Sequence, residues 1–338
     1  MEQILRTDNI TIGFREQKND SGFIYENINV SAGKSELVAL FGPNGIGKST
    51  LLRSLVKLLS PVSGEIFLFN KEIKTLSGNE IARKVGFVST ETVHVNNLRV
   101  YDLVSLGRYP YTNWMGRLRH HDKEKVEDAI NMVGISALRN KYINQLSDGE
   151  RQRAMIARTL AQDTGIIVLD EPTAFLDLPN KYEVVNLLHT LASRRNRTVV
   201  FSTHDLNIAI READKIWLML PEGLFQGSPE DLILNGSFSK MFEDTRLLFS
   251  TTKGDFRIKR KPSNSIGLAG PSMEYRWTRN ALERIGYDTV DPEKAGNMIS
   301  IKTDSGKKIW EISGSCKTMR FGSIYELCSF LTRLQDHG

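Results

Sequence analysis

The 338-residue sequence lacks any apolar run near the ~20 residues that a membrane-spanning helix needs, so no such helix is expected. It has only two cysteines, Cys316 and Cys328, and they fit no metal-ligand spacing. Both are expected to be reduced thiols, not a disulfide. The first eight residues, Met1 to Asp8, carry an acid early and no apolar core. They do not resemble a secretory signal, and a protein made and kept in the cytoplasm is expected. Internal repeats, low-complexity tracts and long heptad arrays are absent as well. Charge of one sign is scarce. The net charge is +5, and residues 250–338 hold 15 Lys and Arg against 10 Asp and Glu, which accounts for all of it. The cluster Arg257, Lys259, Arg260 and Lys261 reads as a solvated face more readily than as a contact for lipid headgroups. Nucleic acid is not an expected partner, because so thin a surplus makes no basic stripe.

What is present is a globular composition, 40% hydrophobic and 25% charged, in a chain with room for one large domain and a smaller one. One stretch organises the rest. Val38 to Phe41 reads as a buried strand that breaks into Gly42-Pro43-Asn44-Gly45-Ile46-Gly47 and continues through Lys48-Ser49-Thr50 into a helical pattern. This fits G-x-x-x-x-G-K-[ST], the loop that wraps a nucleotide's phosphates. Glycines let the backbone approach the phosphates and turn its N–H groups inward. The helix that follows directs its positive end at the same anion. Lys48 can reach the β- and γ-phosphates, and the Ser49 hydroxyl can ligate Mg²⁺. A nucleoside triphosphate is therefore the expected ligand.

Strands are expected at 4–14, 23–30, 65–69 and Val85–Val88, with a turn at 31–34. Between about 91 and 164 the texture becomes helical, with helices at 97–107, 121–133 and 150–162 and an aromatic loop, Tyr109-Pro110-Tyr111-Thr112-Asn113-Trp114. Strand texture returns at 165–170, 198–202 and Lys215–Leu220, with helices at 182–194 and Leu206–Glu212 between. Strands alternating with helices imply an α/β fold, a largely parallel sheet covered on both faces. Residues 251–272, with Pro, Ser and Gly at 262–272, read as a linker. A small α+β unit of unknown role is expected over 273–338.

Two further stretches carry chemistry. Ile166 to Leu169 runs into Asp170 and Glu171. At the C-terminal end of a buried parallel strand, Asp170 would sit beside the phosphate loop and hold Mg²⁺. Glu171 would polarise an attacking water. Leu146-Ser147-Asp148-Gly149-Glu150 offers a capping box, Ser147 with Glu150, and a Ser-x-Gly turn suited to a phosphate.

Taken together, Gly42 to Thr50, Leu146 to Glu150, Ile166 to Glu171, Ala174-Phe175-Leu176-Asp177 and Ser202-Thr203-His204-Asp205 occur in the order of an ABC-type ATPase. They resemble its Walker A, signature, Walker B, D-loop and switch-histidine motifs over roughly residues 4–250. The resemblance implies an α/β P-loop NTPase that hydrolyses ATP with Mg²⁺ as a homodimer. Ser147, Asp148, Gly149 and Glu150 of one copy would face the γ-phosphate held by Lys48 of the other. His204 would hold that phosphate and couple to Glu171, Asp177 would communicate across the dimer, and Phe14 would stack on adenine. The signature departs from Leu-Ser-Gly-Gly-Gln at Asp148 and Glu150, and Asp148 is expected to point away from the phosphate. Family members carry Gln after the 85–88 strand, where this chain has Thr90 followed by Glu91. Thr90 is the expected Mg²⁺ contact, with Glu91 as the alternative.

An engine is not a function until its partner is known. Leu103 to Tyr111, with Leu-Gly-Arg-Tyr-Pro-Tyr, resembles the helical region of importer ATPases for iron–siderophore, haem and cobalamin uptake. That implies a polytopic permease docked near residues 86–115, with Tyr109, Tyr111 and Trp114 as interface aromatics. It also implies a substrate-binding protein acting indirectly, and a place on the cytoplasmic face of the cell membrane. The other reading is a soluble ABC-type ATPase acting on nucleic acid or ribosomes.

Overall fold

The computed structural model describes residues 2–13, 24–89, 97–243, 245, 247–250, 255–260, 262–304, 306–314 and 318–336. The chain divides into two compact units, the first reaching to Asp244 with Phe249–Asp255, the second made of Thr245–Leu248 and Phe256–Gly338.

The first unit is built on a six-stranded sheet. Its order is Gly223–Gly227, Lys215–Leu220, Leu37–Phe41, Thr198–Thr203, Ile166–Leu169 and Val85–Val88. All neighbours are parallel except the first pair. Side chains alternate across a strand. Leu37, Ala39 and Phe41 accordingly enter one core, and Val38 and Leu40 enter another. Burial on both faces is why these strands read as unbroken apolar runs.

On one face lie helix Lys48–Leu55 and a second, antiparallel sheet, Ile24–Ile28, Gln3–Gly13, Ser63–Leu68 and Lys71–Glu72, with Ser31–Gly33 also on Gln3–Gly13. The expected turn at 31–34 is therefore a short strand followed by a turn, its Ala32 buried. On the other face lie the helices Val100–Ser105, His120–Met132, Asp148–Ala161, Leu178–Arg195 and Leu206–Glu212.

The expected 97–107 helix is cut short. It is α-helical over Val100–Ser105 and then tightens to a 3₁₀ turn, Leu106–Tyr111, which contains Pro110. Buried Arg108 anchors that turn. Its Nη2 lies 2.9 Å from Asp122 Oδ1 and its Nη1 donates to the Ala161 carbonyl at 2.8 Å. The Leu-Gly-Arg-Tyr-Pro motif thus has a packing function of its own.

The second unit is a five-stranded sheet in the order Tyr287–Val290, Asn264–Ala269, Asn297–Asp304, Lys307–Gly314 and Met319–Phe321, with helices Ser272–Arg284 and Ile324–Asp336. Trp310 Nε1 donates to Thr278 Oγ1 at 2.8 Å in its core, tying sheet to helix. The linker reading is corrected here. Asn264–Ala269 is the strand between two parallel neighbours, with Ile266 and Leu268 buried. The Ser and Gly residues of that stretch serve a strand whose alternate positions are small.

Candidate nucleotide site

The phosphate loop leaves the C-terminal end of Leu37–Phe41, between the strands Lys215–Leu220 and Thr198–Thr203. Gly42 is required by close approach, since a Cβ there would lie 2.3 Å from the Met219 carbonyl oxygen. Gly47 caps helix Lys48–Leu55 with φ +105°, a left-handed conformation that a side chain would strain. Lys48 is only 5% exposed. Its Nζ donates to the carbonyls of Gly42 at 2.8 Å and Pro43 at 2.9 Å, so the ammonium is held inside the loop. Burial pushes the Lys48 pKa down, and the charges of Glu171 and Asp170 oppose that shift. The two acids therefore act on the loop lysine.

Strand Ile166–Leu169 delivers them. Asp170 is buried, and its N–H donates to the Val88 carbonyl at 2.9 Å. Its Oδ1 accepts from the Ser202 hydroxyl at 2.8 Å. The same Ser202 oxygen accepts the Glu171 N–H at 2.8 Å. Glu171 sits at φ +47°, a rare conformation for a non-glycine residue, where its side chain meets another strand end. Its Oε1 is hydrogen-bonded to His204 Nε2. The structure thus brings Lys48, Asp170, Glu171 and His204 together at the C-terminal ends of three strands of one sheet. It adds a role for Ser202, the residue that opens the Ser202-Thr203-His204-Asp205 motif.

The signature turn opens helix Asp148–Ala161. Ser147 Oγ accepts from the Glu150 N–H at 3.3 Å, and Glu150 Oε2 accepts from the Ser147 N–H at 2.9 Å. The second bond holds the Glu150 carboxyl below the usual range. The capping box forms as the spacing predicts. Asp148 is exposed and pairs with Arg151 at 3.2 Å on its own helix. Asp177 caps helix Leu178–Arg195 by accepting from Asn180 N at 3.1 Å and Asn180 Nδ2 at 2.7 Å. Buried Gly149 faces the same amide, because a Cβ at Gly149 would lie 3.0 Å from the Asn180 side chain. Asn180, which the motifs did not single out, therefore joins the signature turn to the D-loop within one chain.

Of the three aromatics expected at a permease interface, Tyr109 and Trp114 are 77% and 93% exposed. Tyr111 is not: its ring lies under the guanidinium groups of Arg108 and Arg83, at 4.0 and 5.0 Å. It is a packing residue. Phe14, Thr90 and Glu91 lie outside the described residues.

Residues 25–174 match the ABC transporter family and residues 263–332 match the iron ABC transporter C-terminal domain. The petrobactin import ATP-binding protein FpuD of Bacillus anthracis is 39% identical, over 69% of this chain and 84% of its own. The ferric enterobactin transport ATP-binding protein FepC of Escherichia coli is 36% identical over 68% and 83%. Among solved structures, the dimeric ATP-binding cassette MJ0796 bound to ADP and Pi is similar. It shows a TM-score of 0.58 and 27% identity, over 67% of this chain and 98% of the other. No helix among the described residues is long and apolar enough to cross a membrane. A phosphate loop with an acid pair and a histidine at neighbouring strand ends, on this fold and with these relatives, has one meaning: the chain belongs to the ABC transporter ATP-binding proteins and is an ATP-hydrolysing subunit.

Proposed function

We propose that this chain is the energy-coupling subunit of an importer for iron–siderophore chelates. It works as a homodimer against a polytopic permease on the cytoplasmic face of the cell membrane. The observation that carries the reading is the union, in one chain, of an ATPase site and a C-terminal unit matched to iron transporters. Relatives named for petrobactin and ferric enterobactin point to siderophore chelates ahead of haem or cobalamin. The nucleic-acid or ribosome reading has no such support.

In this reading residues 42–47 wrap the phosphates and Lys48 presents its ammonium to them. Glu171 takes the proton of the attacking water, and His204, bonded to Oε1, orients that carboxylate and faces the γ-phosphate. Mg²⁺ neutralises phosphate charge and templates the attack when bound. Ser49 and Asp170 would hold it. The described residues contain no cluster of three or more His, Cys, Asp or Glu that could hold a metal. One carboxylate and one hydroxyl suit an ion that takes one or two carboxylates and fills its shell with phosphate and water. Thr90 or Glu91 would add an oxygen to its shell. Ser147 and Gly149 of one copy complete the partner's site, with Asp148 turned to Arg151, Glu150 bracing the turn and Asp177 relaying closure. Phe14 would stack on adenine. Tyr109 and Trp114 form the permease contact, and the substrate-binding protein acts through the permease.

The test is recovery of partners from detergent-solubilised membranes with Glu171→Gln protein and ATP, a variant expected to bind the nucleotide but barely turn it over. Co-purification of a polytopic permease is the expected result. Ribosomes or nucleic acid without any membrane protein would overturn the importer reading.

A further inference from the structure

We infer that Ser202 is a positioning residue for hydrolysis: its single hydroxyl sets both the carboxylate of Asp170 and the backbone of Glu171. The inference rests on the roles given above to those two acids. Ser202 is fully buried in the central strand Thr198–Thr203, where an apolar residue would pack at no cost in hydrogen bonds. A hydroxyl there must be satisfied, and this one is satisfied twice. The Glu171 N–H is a donor only, so Ser202 Oγ accepts it, at 2.8 Å. The hydroxyl proton is then directed to Asp170 Oδ1, also at 2.8 Å. The arrangement has one sense and cannot be reversed while Asp170 is ionised.

Two consequences follow from that geometry. One oxygen of Asp170 is engaged, which fixes the plane of the carboxylate and the direction in which it offers its other oxygen. The Glu171 amide is pinned at the residue whose φ is +47°, so the bond helps to hold the backbone that points Glu171 at His204. Asp170 is held from the other side by its own N–H on the Val88 carbonyl, at 2.9 Å. Without the Ser202 hydroxyl the chain would keep that anchor and the Glu171–His204 bond, and lose the link from the strand Thr198–Thr203 to both acids. Groups that orient a metal ligand without touching the metal commonly alter affinity or rate by about 10–100-fold.

The experiment uses the full chain and the variants Ser202→Ala and Ser202→Thr. Mn²⁺ serves as the spectroscopic probe, its binding with ATP read by electron paramagnetic resonance. Ser202→Ala is expected to weaken Mn²⁺ binding by about 10-fold and to lower kcat by a similar factor, with ATP binding in EDTA unchanged. Ser202→Thr, which keeps the hydroxyl, should recover most of the lost Mn²⁺ affinity. A role confined to packing would lower the melting temperature and leave Mn²⁺ affinity alone, and that result would overturn the proposal. Hydrogen exchange at the Glu171 amide of the unaltered chain is a second measurement, independent of whether the alanine variant folds. Strong protection is expected, and exchange at the rate of an open loop would overturn the bond. Glu171→Gln separates the two readings, since wild-type turnover in that variant would remove Glu171 as the base while leaving the Ser202 measurements to stand on their own.

Discussion

Lys48 shows how burial and charge compete at one atom. Desolvation pushes its pKa down, and Glu171 and Asp170 only partly offset the shift. The folded protein therefore gives up this proton below the ~10.4 of an ordinary lysine, while the unfolded chain still holds it. Two outcomes follow with opposite signs. ATP affinity, which needs the ammonium, should fall as pH rises through the lowered value. The stability of the nucleotide-free protein should rise over the same interval, because there the unfolded state binds more protons. Nucleotide titrations and denaturant melts across the alkaline range check both, and affinity that stays flat up to the ordinary lysine value would contradict the shift. The motif residues were legible in the sequence because phosphate chemistry dictates their type and spacing. Asn180 was not, and Ser202 was visible only as a member of the Ser202-Thr203-His204-Asp205 motif with no role of its own, since a hydroxyl or an amide is informative only once its partners across the sheet or the helix start are known.

Among the elements, the 3₁₀ turn Leu106–Tyr111 is held by the buried Arg108–Asp122 pair. Burial alone would raise the Asp122 carboxyl. The Arg119 N–H and the Arg108 guanidinium outweigh it and hold the carboxyl below its usual range. That contribution is present above the unfolded carboxylate pKa of ~3.9 and is lost as pH falls through the lowered folded value. Arg108→Ala should destabilise by about 3–5 kcal/mol, since it leaves a buried carboxylate unpaired. Arg108→Met with Asp122→Leu should cost much less, and urea melts of the two proteins decide it. The sequence showed Leu-Gly-Arg-Tyr-Pro-Tyr as a family marker but not which of its side chains face inward. Element boundaries failed for a similar reason. The strand Asn264–Ala269 has only two buried large side chains, Ile266 and Leu268, and its small residues imitate a linker.

For the whole molecule, Ser147 caps the start of a helix of its own chain, yet the proposed function gives it a second duty in the partner's site. Ser147→Arg on one copy of a mixed dimer should silence the partner's site. Single-turnover assays on dimers that also carry Lys48→Ala in one chosen copy report which site is lost, and activity retained in both sites would rule out that pairing. The α/β class was legible from strand and helix texture. The antiparallel sheet on one face, the second unit's strand order and its strand Asn264–Ala269 were not, because pairing depends on partners remote in sequence. The strand Leu37–Phe41 carries a further consequence for this chain's history. Its five residues feed two cores alternately and end at the phosphate loop. An insertion or deletion of one residue there would exchange the occupants of both cores and rotate the loop to the opposite side of the sheet. The hairpin between Asn297–Asp304 and Lys307–Gly314 sits at a surface turn and bears no such constraint. Length variation among descendants of this sequence should therefore collect at such turns, while the interval from Leu37 to Lys48 keeps its count.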